Sequence, residues 1–293
     1  MKRIWGLDQL TLVVVIAISS LLTFGVAAAS AESTWLCVPK TAGKAVTSGG
    51  TEGKCEGENT KVELPPAAEL PTLVSILPYI KYVASGIGSK PTIKFEGANV
   101  QIVNGEGTTG TKNSKGNLVI GYNEGPGTQT GSHNLILGDE QTFTSFGGIL
   151  AGFGNTISGG YASVTGGAGN TANSTFASVS GGSAGTASGV SASVSGGHLN
   201  TASGLSASVS GGESNTASGD YASVSGGSEN KAEATFNASI GGGRANKVTG
   251  NFASVFGGYK NTASGNYSSI FGGQQLSVTK EEEACGFFPT VYC

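Results

Sequence analysis

From Ala162 to Gly273 small apolar and hydroxyl-bearing residues alternate in short bursts, glycines separate the bursts, and the whole pattern returns every fifteen residues. The beat is A-S-V-S-G-G-x-x-N-T-A-S-G-x-Y. Its copies start at Ala162, Ala177, Ala192, Ala207 and Ala222, then at Ala238 (one residue late), Ala253 and Ser268. A fixed period of this kind specifies one structural unit stacked on copies of itself. Within 207–221 the alternation has period two, which predicts two short strands. Ala207 and Val209 point one way and Ser208 and Ser210 the other. Asn215, Ala217 and Gly219 share one side, with Thr216 and Ser218 opposite. Gly211-Gly212 and Gly219 mark turns. The expected fold class is all-β, a parallel β-solenoid or β-roll of 15-residue rungs with Ala/Val columns inside and Ser/Thr columns outside. At roughly 4.8 Å per stacked strand, eight such rungs span about 35–40 Å.

The pattern changes on either side of the repeat. Residues 1–31 read as a secretory signal: Lys2 and Arg3, an apolar run from Leu10 to Ala29, and the small-x-small site Ala29-Ser30-Ala31. The rival reading is an uncleaved membrane anchor, because the run approaches the ~20 residues of a spanning helix. The region 32–91 lacks clear periodicity up to Pro65-Pro66, then carries the apolar stretch 71–84. Leu73, Ile76, Leu77, Ile80 and Val83 share a face at helical spacing, which predicts a short N-terminal capping helix, with Pro78 as a kink or break. A membrane-active or partner-binding helix is the alternative. Period two resumes at Thr92, where Ile93 and Phe95, then Val100 and Ile102, predict two strands around a turn at Gly97. Residues 92–146 read as irregular β rungs, 147–273 as regular rungs, and 274–293 as a cap or tail.

Composition narrows the function. Glycine supplies 50 of 293 residues, and charged residues are 12% against roughly 25% in ordinary domains. The formal net charge of -3 advertises no nucleic-acid surface. The four cysteines, Cys37, Cys55, Cys285 and Cys293, fit disulfides outside the cytosol. Of three intrachain pairings, Cys37–Cys55 and Cys285–Cys293 are favoured because each ties one end locally; interchain bridges are also open. His133 and His198 are isolated and no Cys-x-x-Cys occurs, so no metal and no other cofactor is expected. No G-x-S-x-G, H-E-x-x-H or paired His/Asp arrangement occurs, so no catalytic residues are assigned. Calcium needs clustered carboxylates, and Glu213 and Asp220 are not repeated rung by rung.

Asparagine recurs at one place in the rung: Asn155, Asn170, Asn200, Asn215, Asn230, Asn246 and Asn261, with Gly185 breaking the column. The expectation is a structural ladder, each side chain bonding its own backbone or the next asparagine. Tyr161, Phe176, Tyr221, Phe252 and Tyr267 form a second column at the rung end. Phe236 lies beside the one-residue insertion at Asn237, and Ser191 and Ser206 interrupt the column. Stacking between rungs, or against a neighbouring chain, is its expected role, with a sugar-binding groove as the rival. Sequons stand at Asn173, Asn237 and Asn266. The light Ala/Val interior leaves a lone roll marginal and argues for lateral self-association.

The repeat resembles the head domain of YadA-like trimeric autotransporter adhesins, a left-handed parallel β-roll. Asn215-Thr-Ala217-Ser-Gly219 matches one half of that family's rung, and Ala222-Ser-Val224-Ser-Gly226 matches the other after a two-residue gap. The match covers residues 117–273, about half the chain. It implies a homotrimer and a role in surface adhesion. The family rung is usually near fourteen residues, whereas these carry an extra glycine at the Gly-Gly turn. Neither a heptad stalk nor a membrane barrel follows the repeats, so autotransport is not expected. The expected function is an exported, non-catalytic structural or adhesive protein, secreted or at the cell surface. Self-association and an extracellular surface or glycan ligand are its expected partners, and the membrane only if the signal segment stays uncleaved. The alternative is an ice-binding or other ordered-surface-binding solenoid, because Thr216-x-Ser218 recurs as Thr186-x-Ser188, Thr201-x-Ser203 and Thr262-x-Ser264.

Overall fold

The computed structural model describes residues 35–39, 47–48, 59–63, 75–287 and 291–292. The signal segment, Cys55 and Cys293 lie outside the described residues. The chain forms two compact units, one ending at Val100 and one beginning at Gln101.

In the first unit Trp35–Pro39 is the central strand of a three-stranded antiparallel sheet, flanked by Thr47–Ser48 and Asn59–Glu63. Of the capping helix expected over 71–84, residues 71–74 lie outside the described ones, and Ser75 and Ile76 are helical. A 3-10 turn covers Leu77–Tyr79, and Ile80–Val83 is already a strand. Pro78, which lacks an N–H, sits at the head of that turn, where no intrahelical donor is needed, and the β-branched residues beyond it continue as extended chain. Ile80–Val83 pairs antiparallel with Thr92–Phe95. The strand at Ile93 and Phe95 therefore forms, but its partner precedes it in the chain, and Val100 and Ile102 belong to no strand. The chain bends at Gly97, with φ of 74°, but the bend joins no second strand because the pairing runs backward through the turn at Gly86–Ser89.

The second unit is a parallel β-solenoid of about eleven stacked turns, with two sheets facing each other across a thin core. One sheet contains the Ser-Val strands, such as Ser208–Val209, each paired in register with the next, as Val209 is with Val224. The other contains the Thr-Ala strands, such as Thr216–Ala217. Each rung donates backbone N–H groups to the carbonyls of the next: Ser208 to Ala222 at 2.9 Å and Thr216 to Asn230 at 2.8 Å. The backbone polarity of a rung is thus satisfied only by its neighbours, which makes the stack and not the rung the folding unit. The early turns are irregular in length: Leu118 pairs with Leu135, seventeen residues on. Leu135 pairs with Ile149 and Ile149 with Ser163, fourteen residues on each time, before the spacing settles at fifteen.

The core is a few columns wide. Val164, Val179, Val194, Val209 and Val224 line it from one sheet, and Ala172, Ala187, Ala202 and Ala217 from the other, all essentially without solvent contact. Ala177, Ala192, Ala207 and Ala222 close the side. Larger residues appear at the amino-terminal end of the stack, where Ile136, Phe143, Leu150 and Ile157 fill the same columns.

Three corners in each rung adopt left-handed backbone. In the rung 207–221 they are Gly212, Ser214 and Tyr221, with φ of 86°, 55° and 57°. Only the first demands glycine. A Cβ on Gly212 would lie 2.1 Å from the Gly227 carbonyl oxygen and 2.6 Å from Asn215 Nδ2, whereas nothing lies within 4 Å of one built on Gly211. The additional glycine of this fifteen-residue rung therefore sits in open space beside a sterically obligatory one.

The insertion after Ala222 is absorbed at the third corner. Ser223 pairs with Ser239, sixteen residues on. Asn237, with φ of 52°, takes the left-handed place that Tyr221 holds one rung earlier, and Asp220 faces both Thr235, through a backbone bond, and Phe236. The extra residue is thus accommodated at Thr235-Phe236, and Asn237 occupies a regular corner.

Candidate interaction surface

The seven asparagines of the repeat are fully buried. Each follows a left-handed residue, which turns its side chain back across the corner. Asn215 illustrates the geometry. Its Nδ2 donates to the Gly211 carbonyl in its own rung and to the Gly227 carbonyl in the next, both at 2.9 Å. Its Oδ1 accepts the backbone N–H of Asn230 at 3.0 Å. The ladder thus runs from side chain to backbone, both within a rung and to the N–H of the next asparagine. One buried amide thus pairs an N–H and a carbonyl that neither sheet satisfies, and adds a second bond to the Gly227 carbonyl, which also accepts the Glu213 N–H. Gly185 donates its N–H to Asn170 Oδ1 at 2.8 Å but has no side chain to accept from Asn200 in turn.

The column is longer than the fifteen-residue register reveals. Gln141 stands one rung above Asn155: its Oε1 accepts the Asn155 N–H and its Nε2 donates to Gly152. Asn123 Oδ1 in turn accepts the Gln141 N–H. A second pair, the half-buried Asn117 and the buried Asn134, occupies the position that becomes the Ala162 column: Asn134 accepts the N–H of Gly148, the residue in register with Ala162. Irregular spacing and the change to glutamine hid these residues. The recurring signal was a buried carboxamide just after a left-handed residue, as at Glu140 before Gln141 and His133 before Asn134.

The outer faces repeat one chemistry many times. Ser163, Ser178, Ser193, Ser208 and Ser223 form a half-buried hydroxyl column on one sheet, which continues through Ser239 and Ser254 to Ser269. On the other sheet the Thr column of Thr171, Thr186, Thr201 and Thr216 is interrupted by Lys231 and Lys247 before Thr262. Lys247 pairs with Glu233 at 2.9 Å, so an ion pair stands where a flat hydroxyl array would need Ser and Thr. Arg244 pairs with Glu229 at 3.2 Å and His198 with Glu213 at 3.6 Å. These are exposed rung-to-rung pairs of small energetic weight. In the first unit Lys81 and then Lys94 hydrogen-bond the Glu96 carboxylate and hold it below the ordinary range.

The third corner carries rings in the open. Tyr161 and Phe176 stack with centroids 5.6 Å apart, and Phe252 and Tyr267 at 5.0 Å. Phe146 meets Tyr161 edge-on at 5.1 Å. On the Ser-Val face, Phe256 and Phe271 stack at 5.3 Å.

Of the cysteines, Cys37 lies in the central strand of the amino-terminal sheet, and Cys285 is buried at the foot of the Val/Ile column, in register with Ile270. Among the described residues no group of His, Cys, Asp and Glu could hold a metal ion. Nor is any helix among them long and apolar enough to cross a membrane. Compared with known proteins, the chain matches no family model, and it matches no curated protein.

Proposed function

We propose that this is an exported, non-catalytic structural or adhesive protein of the cell surface, whose copies associate side by side as a homotrimer. The observation that carries the reading is the uniformity of the outer faces. Most rungs repeat the Ser and Thr of their neighbours, so the described surface offers many similar, weak contacts in place of a single convergent constellation. Such a surface suits multivalent attachment to an extracellular or glycan partner. The amino-terminal signal and the four cysteines support export into an oxidising compartment, where Cys37–Cys55 and Cys285–Cys293 tie the two ends. The YadA-like resemblance supports the trimer. The ordered-surface alternative is less favoured, because Lys231, Glu233 and Lys247 interrupt the hydroxyl array.

Expression of the full chain with its own signal in a secreting host tests this reading. The expected product begins near Glu32, is found in the medium or on the cell surface, and has a native mass three times that of one chain. A cytoplasmic product that retains Met1 would overturn export, and a folded monomer would overturn the association.

A further inference from the structure

The third corner consists of two adjacent columns. One is the left-handed residue itself and the other is the residue just before it. The left-handed place holds Tyr161, Phe176, Tyr221, Phe252 and Tyr267. In the three remaining rungs it holds Ser191, Ser206 and Asn237, and in those same rungs the preceding residue becomes Val190, Leu205 and Phe236. Where the left-handed place is aromatic, the preceding residue is small or polar: Gly160, Thr175, Asp220, Asn251 and Asn266. The two columns are complementary, so each of eight consecutive rungs places one large apolar side chain at this corner. All eight are exposed, from 39% at Leu205 to 57% at Phe176. The half-buried Phe146 extends the line by one rung, and Glu281-Glu282 end it beyond Tyr267.

The internal needs of the fold do not account for this line. A left-handed corner favours Gly, Asn or Asp, and a bulky ring there is uncommon. Ring stacking accounts for the Tyr161–Phe176 and Phe252–Tyr267 pairs. It does not account for the transfer of the apolar residue to the neighbouring column at Val190, Leu205 and Phe236. What is kept is an apolar side chain at every step.

We propose that this ridge is the seam along which copies of the chain pack, which gives the self-association proposed above its location and rests on that proposal. A ridge one side chain wide, stepping by about 4.8 Å, is met at every step only by a surface with the same repeat, and a second copy supplies one. Six aromatic side chains of about 150–250 Å² each, together with Val190 and Leu205 and all roughly half exposed, offer on the order of 700 Å², close to the ~800 Å² per partner of a stable interface. Charge does not oppose the approach. Through these eight rungs Asp220 is the one charged residue in the two columns, and its Oδ1 is occupied by the Leu205 N–H at 3.0 Å.

Photo-crosslinking with benzoylphenylalanine in place of Tyr221, and in place of Glu213 as a control on another corner, tests the seam together with native mass. The double variant Tyr221→Ser, Phe252→Ser completes the set. Serine already occupies this corner at Ser191 and Ser206, so the variant is expected to keep the rung, which circular dichroism verifies. The expected result is chain-to-chain crosslinking from position 221 and not from 213, with association of the double variant weakened at least tenfold. An oligomer that does not crosslink from 221 and survives the double substitution overturns the seam and leaves self-association standing. A chain that is monomeric at every concentration overturns both, as does a monomer whose residue 221 captures a host protein instead.

Discussion

At the scale of single residues, the buried asparagines do what neither sheet can. Parallel stacking satisfies the strands, but each corner leaves an N–H and a carbonyl without a backbone partner, and one carboxamide meets both and adds a bond to the carbonyl of the next rung. Asn215→Ala removes three hydrogen bonds and strands the buried N–H of Asn230. The expected loss is about 3–5 kcal/mol in denaturant-induced unfolding, since an unmade buried bond costs more than a made one contributes. A loss under about 1 kcal/mol would mean that water replaces the side chain. Asparagine's recurrence was readable because it kept the fifteen-residue register. Its partners were not, because the distances between a corner amide and the carbonyls of two rungs are set by the left-handed residue before it. The same geometry drew Gln141 and Asn134 into equivalent roles outside that register.

At the scale of one rung, the departures from the consensus are informative. Gly185 leaves the ladder one side chain short: Asn170 serves it from above, and Asn200 below lacks the acceptor that its counterparts have. A Cβ at Gly185 would lie 3.1 Å from Asn170 Oδ1 and 3.3 Å from Val194 Cγ1, and its backbone is not left-handed, so the site accepts a side chain with a shift of a few tenths of an ångström. Gly185→Asn is expected to stabilise the solenoid by about 1–2 kcal/mol by restoring bonds to Gly181, Gly197 and Asn200. Differential scanning calorimetry should show this as a rise of roughly 2–4 °C, and a fall would show that the crowding wins. The sixteen-residue rung makes the complementary point. Its extra residue was evident in the spacing, but the structure places it at Thr235-Phe236 because the left-handed corner must be refilled, and Asn237 fits a left-handed corner better than Phe236. In the first unit the helical spacing does not persist to the end of 71–84: a 3-10 turn with Pro78 at its head follows the helical Ser75 and Ile76, and Ile80–Val83 is a hairpin strand.

At the scale of the whole molecule, the solenoid has a core only a few small side chains thick. Valine and alanine bury little area per rung, and rung-to-rung hydrogen bonds hold the backbone without adding apolar burial. Association along the apolar corner would supply the missing area, and it carries a signature that a monomer lacks. Stability then depends on concentration, because packing favours the native chain by mass action. The melting temperature is expected to rise with each tenfold increase in chain concentration and to become nearly independent of it in the double variant Tyr221→Ser, Phe252→Ser. Calorimetry at several concentrations checks this, and flat behaviour of the parent chain would count against a shared interface.

The period, the strand pairs, the inward Ala/Val columns and the outward hydroxyls were determined by the sequence alone, because side-chain alternation and glycine spacing are local properties that each repeat states again. Tertiary structure decided what depends on the distance between rungs. It made the asparagine ladder one of side chain to backbone, made Gly212 obligatory and Gly211 not, and joined Val190, Leu205 and Phe236 to the aromatic residues in one apolar line. Those three residues leave the aromatic register by one position, so the linear pattern shows interruptions. Stacking closes the gap because adjacent columns at a tight corner share the same edge of the molecule.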